Sequence, residues 1–499
     1  VAGPIAMKNN VGIIFTGIAG GTRSLSRPAG AFRIRTWLAQ HNHHVEVIDY
    51  FTHFTHTEIK QLCNKYITDN TLFVGVSVTF FNTFDNINFL FDLIKTEYPR
   101  VKTIVGGTEG PMIGLNFKLV DRFIWGYAEE AILHYTNFLK GKRLDDLKWV
   151  PYKNNSLAID AELAYKNDDT DLTIKWVKDD LLIGNFLPVE ISRGCIFRCR
   201  FCQYPLLGKK KNDYIRHQDN LADEFRKNWE QWGINNYSFQ DDTFNDNIVK
   251  LEHVANAIAK SGIKITYSAY LRSDLMAAFP ETILMLVETG LISTTFGVES
   301  LNEKARISIG KGGDIEKQFE AIKQLKSHRP IWTHTGMIAG LPGETIESLH
   351  KSQEWFFNQN GEIFDTWQWW PLGIRKNAMT RLSEFEKNYK RWGYTIEETD
   401  DFFSYWKNSY MDFNQAHELS IEFNKEIHKM RVQKNSVSHW ENWGTVGFFE
   451  PAEAFALGIK IEDMILGKVD TSKIEKTFLQ VEDSIKHYKQ IKLSNSSVA

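Results

Sequence analysis

Three of the four cysteines in this chain of 499 residues fall close together, as Cys195, Cys199 and Cys202 in a Cys-x3-Cys-x2-Cys pattern. Three thiolates on one short loop suit a soft metal centre. A structural zinc site takes four protein ligands, so a zinc knuckle here needs a fourth from elsewhere in the chain. The remaining cysteine, Cys63, falls in an expected helix far upstream. On a [4Fe-4S] cube, three thiolates leave one iron open to a ligand. Electron carriers instead hold each cube with four cysteines.

The elements that must position this loop form a regular series. The loop follows an expected strand at 187–192. Further strands are expected at 235–240, 263–269, 292–298, 331–338 and 363–369, with helices near 217–232, 246–260, 279–289, 315–327 and 344–356. In the helix at 246–260, Ile248, Leu251, Val254 and Ile258 share a side suited to packing on a sheet. Six strand–helix repeats predict a partial (β/α)6 barrel with ligand loops at the strand C-termini. Those loops carry Asp241-Asp242, Arg272-Ser273-Asp274, Glu299-Ser300 with Lys311 beyond, and Gly340-Leu341-Pro342-Gly343. Alternation puts Trp367 and Trp369 on one face of the sixth strand, as a wall of the reaction chamber or as core.

The cysteine spacing, with Phe201 before the last cysteine, resembles the radical S-adenosylmethionine (SAM) enzymes. The loop motifs extend the resemblance over roughly 185–375. It implies that Cys195, Cys199 and Cys202 hold a catalytic [4Fe-4S] cluster that cleaves SAM reductively to a 5′-deoxyadenosyl radical. The SAM-binding candidates are then Asp241, Asp242, Arg272, Glu299, Lys311, Gly340 and Gly343. Arg272 or Lys311 is expected to meet the SAM carboxylate; for Arg272 the alternative is a salt bridge to Asp274 or Glu299. Glu299 is expected to accept from ribose hydroxyls, and backbone near Gly340 and Gly343 to hold adenine. Adjacent residues on an extended strand point oppositely, so at most one of Asp241 and Asp242 faces the cofactor. The other ties down a neighbouring loop.

Residues 7–145 read as a separate Rossmann-like, doubly wound parallel sheet. Its Pro28-x-Gly30, Val45-Glu46-Val47-Ile48-Asp49, Val76-Ser77, Val105-Gly106-Gly107 and Gly126-x2-Glu129-Glu130 resemble the cobalamin-binding-type domain that precedes many radical SAM enzymes. Ser77, Gly106 and Gly107 are the cofactor-binding candidates that this implies, in a crevice formed with 17–21, 77–80 and 106–109. The axial-histidine motif Asp-x-His-x2-Gly is absent, so the sheet either binds cobalamin without it or supports substrate binding and packing. Residues 146–184 read as a linker with some local structure, partly wrapped on the barrel at 185–400. Residues 401–499 read as a helical, aromatic-rich region with Trp440, Trp443, Phe448 and Phe449, a cap over the barrel mouth or an appendage.

The expected fold class is therefore α/β, and the expected activity is cobalamin-dependent methyl transfer to a small organic substrate. The alternative is a non-methylating cyclisation, rearrangement, oxidation or epimerisation. A single cysteine outside the cluster loop is too few for a methylthiotransferase's second cluster. The net charge of −3 and a charged fraction of 24% argue against a long nucleic acid as partner. A small-molecule or peptide substrate is expected, with a one-electron donor such as flavodoxin or ferredoxin. Lys209-Lys210-Lys211 reads as solvated surface, or as a face for an acidic donor. No run of 18 apolar residues occurs, so no membrane span is expected. The sparse, clustered cysteines suggest a reducing cytoplasm.

Overall fold

The computed structural model describes residues 10–17, 27–79, 81, 83–142, 147–161, 172–180, 186–203, 214–376, 378–397, 402–433 and 454–494. Lys209–Lys211, the aromatic residues at 440–449 and part of the 17–21 and 77–80 turns lie outside these. The chain divides into two units. One comprises Val1–Asp169, Thr173–Ile183 and Leu479–Ala499; the other comprises Thr170–Leu172 and Gly184–Phe478.

The first unit holds β1 (Gly12–Phe15), β2 (Val45–Ile48), β3 (Phe73–Ser77), β4 (Lys102–Gly107), β5 (Arg122–Trp125), β6 (Val150–Pro151) and β7 (Leu157–Asp160). Their order is β2-β1-β3-β4-β5-β7-β6. All pairs are parallel except β6–β7. Apolar runs such as Ile13-Ile14-Phe15 form strands here because helices cover both faces of a parallel sheet. The order reverses between β1 and β3, and ligands of such sheets bind beyond the strand C-termini at that switch point.

Two boundaries differ from the sequence-based expectation. Within the stretch read as a linker, β6 and β7 extend the first sheet. Trp176 is buried against Phe32, with ring centroids 4.7 Å apart, and Asp180 is buried on Arg35. Strands of two and four residues are too short to show a periodicity. The final helix, Thr471–Leu493, sends its part from residue 479 onward into the first unit rather than into a C-terminal domain. Its buried polar groups find their partners there. Lys492 Nζ meets Glu46 at 2.7 Å, and Tyr488 OH accepts from Asp49 N at 2.8 Å.

The second unit holds β8 (Leu187–Val189), β9 (Asn236–Phe239), β10 (Thr266–Leu271), β11 (Leu291–Glu299), β12 (Trp332–Ala339) and β13 (Thr366–Pro371). They pair in sequence order, all parallel, as the six-strand reading expects. The helix Phe413–Gln433 covers the edge strand β13. Asn424 closes the open ladder there, accepting from Trp369 N and donating to Trp369 O, both at 2.9 Å. An edge strand covered in this way offers no template for another chain.

Trp367 and Trp369 do share a face. Both indoles donate to Gln353 Oε1 at 2.9 Å on the helix Ile346–Asn358. They are core between sheet and helix rather than chamber wall. Ala454, Ile459, Ile461, Met464 and Val469 pack with Phe186, Ile292 and Trp332, at the N-terminal ends of β8, β11 and β12. This part of the C-terminal region is a floor under the barrel. The cap expectation is corrected for these residues, because the apolar surface they cover lies at the end opposite the ligand loops. Among the described residues, no helix is long and apolar enough to cross a membrane.

Candidate active site

Each candidate in the second unit lies at a strand's C-terminal end or in the segment that follows it, Lys311 beyond the helix Glu303–Ser308 that follows β11. The cysteine loop leaves β8. Cys195 is buried, and Cys199 and Cys202 are half-buried; none of the three is in a disulfide. Burial pushes the Cys195 thiol up, so without a metal it keeps its proton, and its S–H points to Thr243 Oγ1 at 3.6 Å. The loop is tied across the sheet end. Arg200 N donates to Ile309 O at 3.0 Å, and Arg200 Nη1 donates to Ser308 O at 2.8 Å. The fourth cysteine, Cys63, is buried in the helix His56–Tyr66 of the first unit, its thiol pushed up to about 12 by burial. That environment makes it inert.

Beneath the loop lies a dry polar network that the sequence reading did not anticipate. Lys250 is wholly buried. Its ammonium donates to Thr243 O at 2.7 Å and Ser192 Oγ at 3.1 Å, and pairs with Asp246 Oδ1 at 2.6 Å. Asp241 completes the group, 3.7 Å from Lys250 Nζ and accepting from the Ser192 hydroxyl. Asp246 in turn accepts from Ile196 N at 3.4 Å. Burial pushes the Asp241 carboxyl up to about 6. Asp241 is thus the aspartate that ties down a loop. Asp242 is half-buried. Ile248, expected on the packed face of this helix, is 41% exposed. The i, i+4 pair Asp246–Lys250 was the available signal for the network.

Arg272 takes the salt-bridge alternative and adds a contact. Its Nε and Nη2 donate to Asp274 at 2.9 and 2.5 Å, while Nη1 donates to Cys199 Sγ at 3.3 Å. The guanidinium lies over the Phe197 ring, 4.1 Å from its centroid. Glu299 and Lys311 come together as a pair, with Nζ 2.8 Å from Oε1 and donating to Gly297 O at 2.9 Å. Glu299 holds a left-handed backbone, φ 67°. For a non-glycine residue this is a strained state that clusters at functional sites.

Gly340 is occupied by packing. Its φ is +97°, a Cβ there would lie 2.3 Å from the Trp406 ring, and its carbonyl already accepts from Tyr394 OH at 2.5 Å. Gly343 O likewise accepts from Asn302 Nδ2 at 3.1 Å.

In the first unit, Ser77 and Gly106 are register partners at the ends of β3 and β4. Gly107 follows with φ +116°, where a Cβ would lie 2.4 Å from Thr79 Oγ1. Only glycine lets the β3 and β4 turns approach this closely. The Thr79 hydroxyl also accepts from Thr108 N at 3.1 Å, bracing the rim of the crevice.

A parallel six-stranded partial barrel, with three clustered cysteines on the loop after its first strand, defines a class. Residues 189–356 match the Radical SAM superfamily, so this barrel is a radical SAM domain. The chain is 24% identical over 330 residues to an uncharacterized methyltransferase of Pyrococcus horikoshii, covering 62% of this chain and 69% of that one. It is 22% identical over 331 residues to the cytidylyl-2-hydroxyethylphosphonate methyltransferase of Streptomyces wedmorensis, covering 56% of this chain and 61% of that one. The fold resembles the radical SAM methyltransferase TsrM of Kitasatospora setae, solved with cobalamin and a [4Fe-4S] cluster bound. The TM-score is 0.57 at 15% identity, over 78% of this chain and 81% of that chain.

Proposed function

We propose that this radical SAM enzyme is a cobalamin-dependent methyltransferase acting on a small organic substrate. The observation that carries the reading is the pairing, in one chain, of a doubly wound sheet with a three-cysteine partial barrel, in a fold that resembles TsrM over 78% of this chain. The two methyltransferase relatives support it.

The donor set suits the cluster. Among the described residues no three His, Cys, Asp or Glu side chains converge on a single ion. A cube asks for something else, since it presents a separate iron to each thiolate. A corrinoid suits the first unit, because buried polar atoms without partners stand at the C-terminal ends of β1 and β2, on Thr16, Arg27 and Asp49.

When bound, the cluster supplies an electron to the SAM sulfonium, and the cobalamin carries a methyl group. The chain's own residues do the rest. Cys195, Cys199 and Cys202 hold the cluster. Arg272 brings a positive charge and a donor to Cys199. Lys250, Asp241, Asp246 and Ser192 fix the loop from below. Lys311 offers a cation to the SAM carboxylate, and Glu299 an acceptor to its ribose. Ser77, Gly106 and Gly107 form the corrinoid crevice. A reduced flavodoxin or ferredoxin in a reducing cytoplasm supplies the electron.

The test is anaerobic reconstitution with iron, sulfide, SAM and hydroxocobalamin. The expected result is about four irons per chain, retained corrinoid, 5′-deoxyadenosine formation under strong reductant, and transfer of labelled methyl from SAM to corrinoid. Loaded cluster and deoxyadenosine formation without corrinoid retention would replace this reading with a non-methylating radical reaction.

A further inference from the structure

Arg27 is an unusual residue in the first unit. It lies after β1, two positions ahead of the helix Ala29–Gln40, and is only 5% exposed. Its Nη1 and Nη2 are both buried without a hydrogen-bond partner. Asp49 is the near carboxylate, but the contact is long, 4.0 Å from Nε to Oδ2. Asp49 Oδ1 is instead engaged by Tyr50 N at 2.7 Å. The guanidinium sits among the rings of Phe32, Tyr50 and Trp176, each 5.7–5.8 Å away. A guanidinium presents a planar fork of donors, and native interiors seldom leave such donors unmade.

Other observations point the same way. The Thr16 hydroxyl at the end of β1 and the Trp176 indole N–H are also buried without partners. The helix Ala29–Gln40 has no side-chain cap and no acidic residue in its first turn, and an uncapped helix N-terminus favours an anion. Thr16, Arg27 and Asp49 all stand just past the C-terminal ends of β1 and β2, where doubly wound sheets bind their ligands. Donors outnumber acceptors, and burial pushes the Asp49 carboxyl up, which weakens the carboxylate nearest the guanidinium; Asp180, the other carboxylate that acts on Arg27, is held by Arg35.

We infer that Arg27 is the anchor of an oxyanion site, built for a phosphate group, at the C-terminal ends of β1 and β2. This deepens the cobalamin reading and rests on it for the ligand's identity, because the phosphodiester of the nucleotide loop is the group in cobalamin that such a site takes. The planar Nη pair matches two phosphate oxygens in a bidentate contact. The surrounding rings exclude water and strengthen that contact. A phosphate carried by a substrate, or free phosphate, has the same chemistry.

The experiment compares two corrinoids on the full chain, reconstituted anaerobically. Hydroxocobalamin carries the nucleotide loop and its phosphate; cobinamide has the same ring without them. Retention after desalting is read from the corrin absorbance. The wild type is expected to hold cobalamin about tenfold more tightly, the scale of one charge-assisted contact. Arg27→Gln is expected to erase that preference and Arg27→Lys to keep part of it. Equal retention of both corrinoids by the wild type overturns the inference without any variant, and so does an unchanged preference in a folded Arg27→Gln protein. If the wild type retains neither corrinoid, the cobalamin reading fails and inorganic phosphate decides. A rise in Tm with phosphate that Arg27→Gln abolishes keeps the oxyanion site; no rise removes it.

Discussion

Arg272 Nη1 donates to Cys199 Sγ at 3.3 Å while the rest of the guanidinium is held by Asp274. A donor and a positive charge at a cluster sulfur stabilise the reduced, more negative state and so raise the reduction potential. Arg272→Gln is expected to lower the midpoint potential of the reconstituted cluster by about 60 mV, a tenfold change for one electron. Arg272→Lys should shift it less, since the charge stays and the fork is lost. Potentiometric titration followed by electron paramagnetic resonance measures this. An unmoved potential would assign Arg272 to Asp274 alone.

Lys250 compensates two buried carboxylates, at 2.6 Å from Asp246 and 3.7 Å from Asp241. Lys250→Met leaves both without their cation. Breaking a buried pair costs about 3–5 kcal/mol. The expected outcome is a clear drop in Tm and weaker iron retention, because Ser192 and Ile196, which flank the first cluster cysteine, lose their supports. Ser192→Ala removes one hydroxyl and should cost about 1 kcal/mol. Asp242→Asn, outside the network, should leave iron content unchanged. Iron retention in Lys250→Met equal to wild type would show that the loop holds its shape without the network.

Apart from β6 and β7, the strands are legible because they are parallel and buried on both faces, so each announces itself as an apolar run such as Phe73-Val74-Gly75-Val76. The cysteine loop was legible from spacing alone. Direction was harder. Asp241 was visible as a carboxylate at a strand end, but whether it faces a ligand or a lysine depends on Lys250, whose helix was read from its apolar positions. An apolar stripe predicts Ile248 inside and Lys250 outside; the ion pairs reverse both. Alternation placed Trp367 and Trp369 on a shared face without saying which, and the choice was made by Gln353, distant in sequence. Periodicity likewise identified the last helix, whereas its docking follows from single polar residues, Tyr488 and Lys492, that carry no pattern.

Glu299 and Lys311 are expected to act as one unit toward SAM. Their ion pair at 2.8 Å orients both side chains at the end of β11. Glu299→Gln and Lys311→Met should each weaken SAM binding by about tenfold, the loss of one charge-assisted hydrogen bond. The double variant should lose much less than the product of the two, because contacting residues are not additive. Equilibrium binding of SAM to the cluster-loaded protein reports this. Fully additive losses would mean that the two side chains serve the ligand independently.

Asp180 sets an acid limit on the first unit. Burial pushes its carboxyl up, but the bidentate bonds from Arg35, together with Lys492 and the Val177 N–H, outweigh that and leave it below the usual carboxylate value. The folded pKa therefore lies below the unfolded value of about 3.9. The unfolded chain takes up the proton first, so the stabilisation is present in full above that value and is lost as the pH falls through the folded pKa. Denaturation of the wild-type chain, followed by circular dichroism, should show the first unit losing stability below about pH 4. Asp180→Asn should lower stability at neutral pH by about 3 kcal/mol or more, because Arg35 is left beside a neutral partner in a buried site. The same variant should flatten the acid limb, because the group that titrates there is gone. An acid limb of undiminished slope in Asp180→Asn would move the origin of acid sensitivity to other carboxylates of the unit, with Asp121 next in line, since Lys95 and Thr103 hold it below its usual value against the opposing effect of burial.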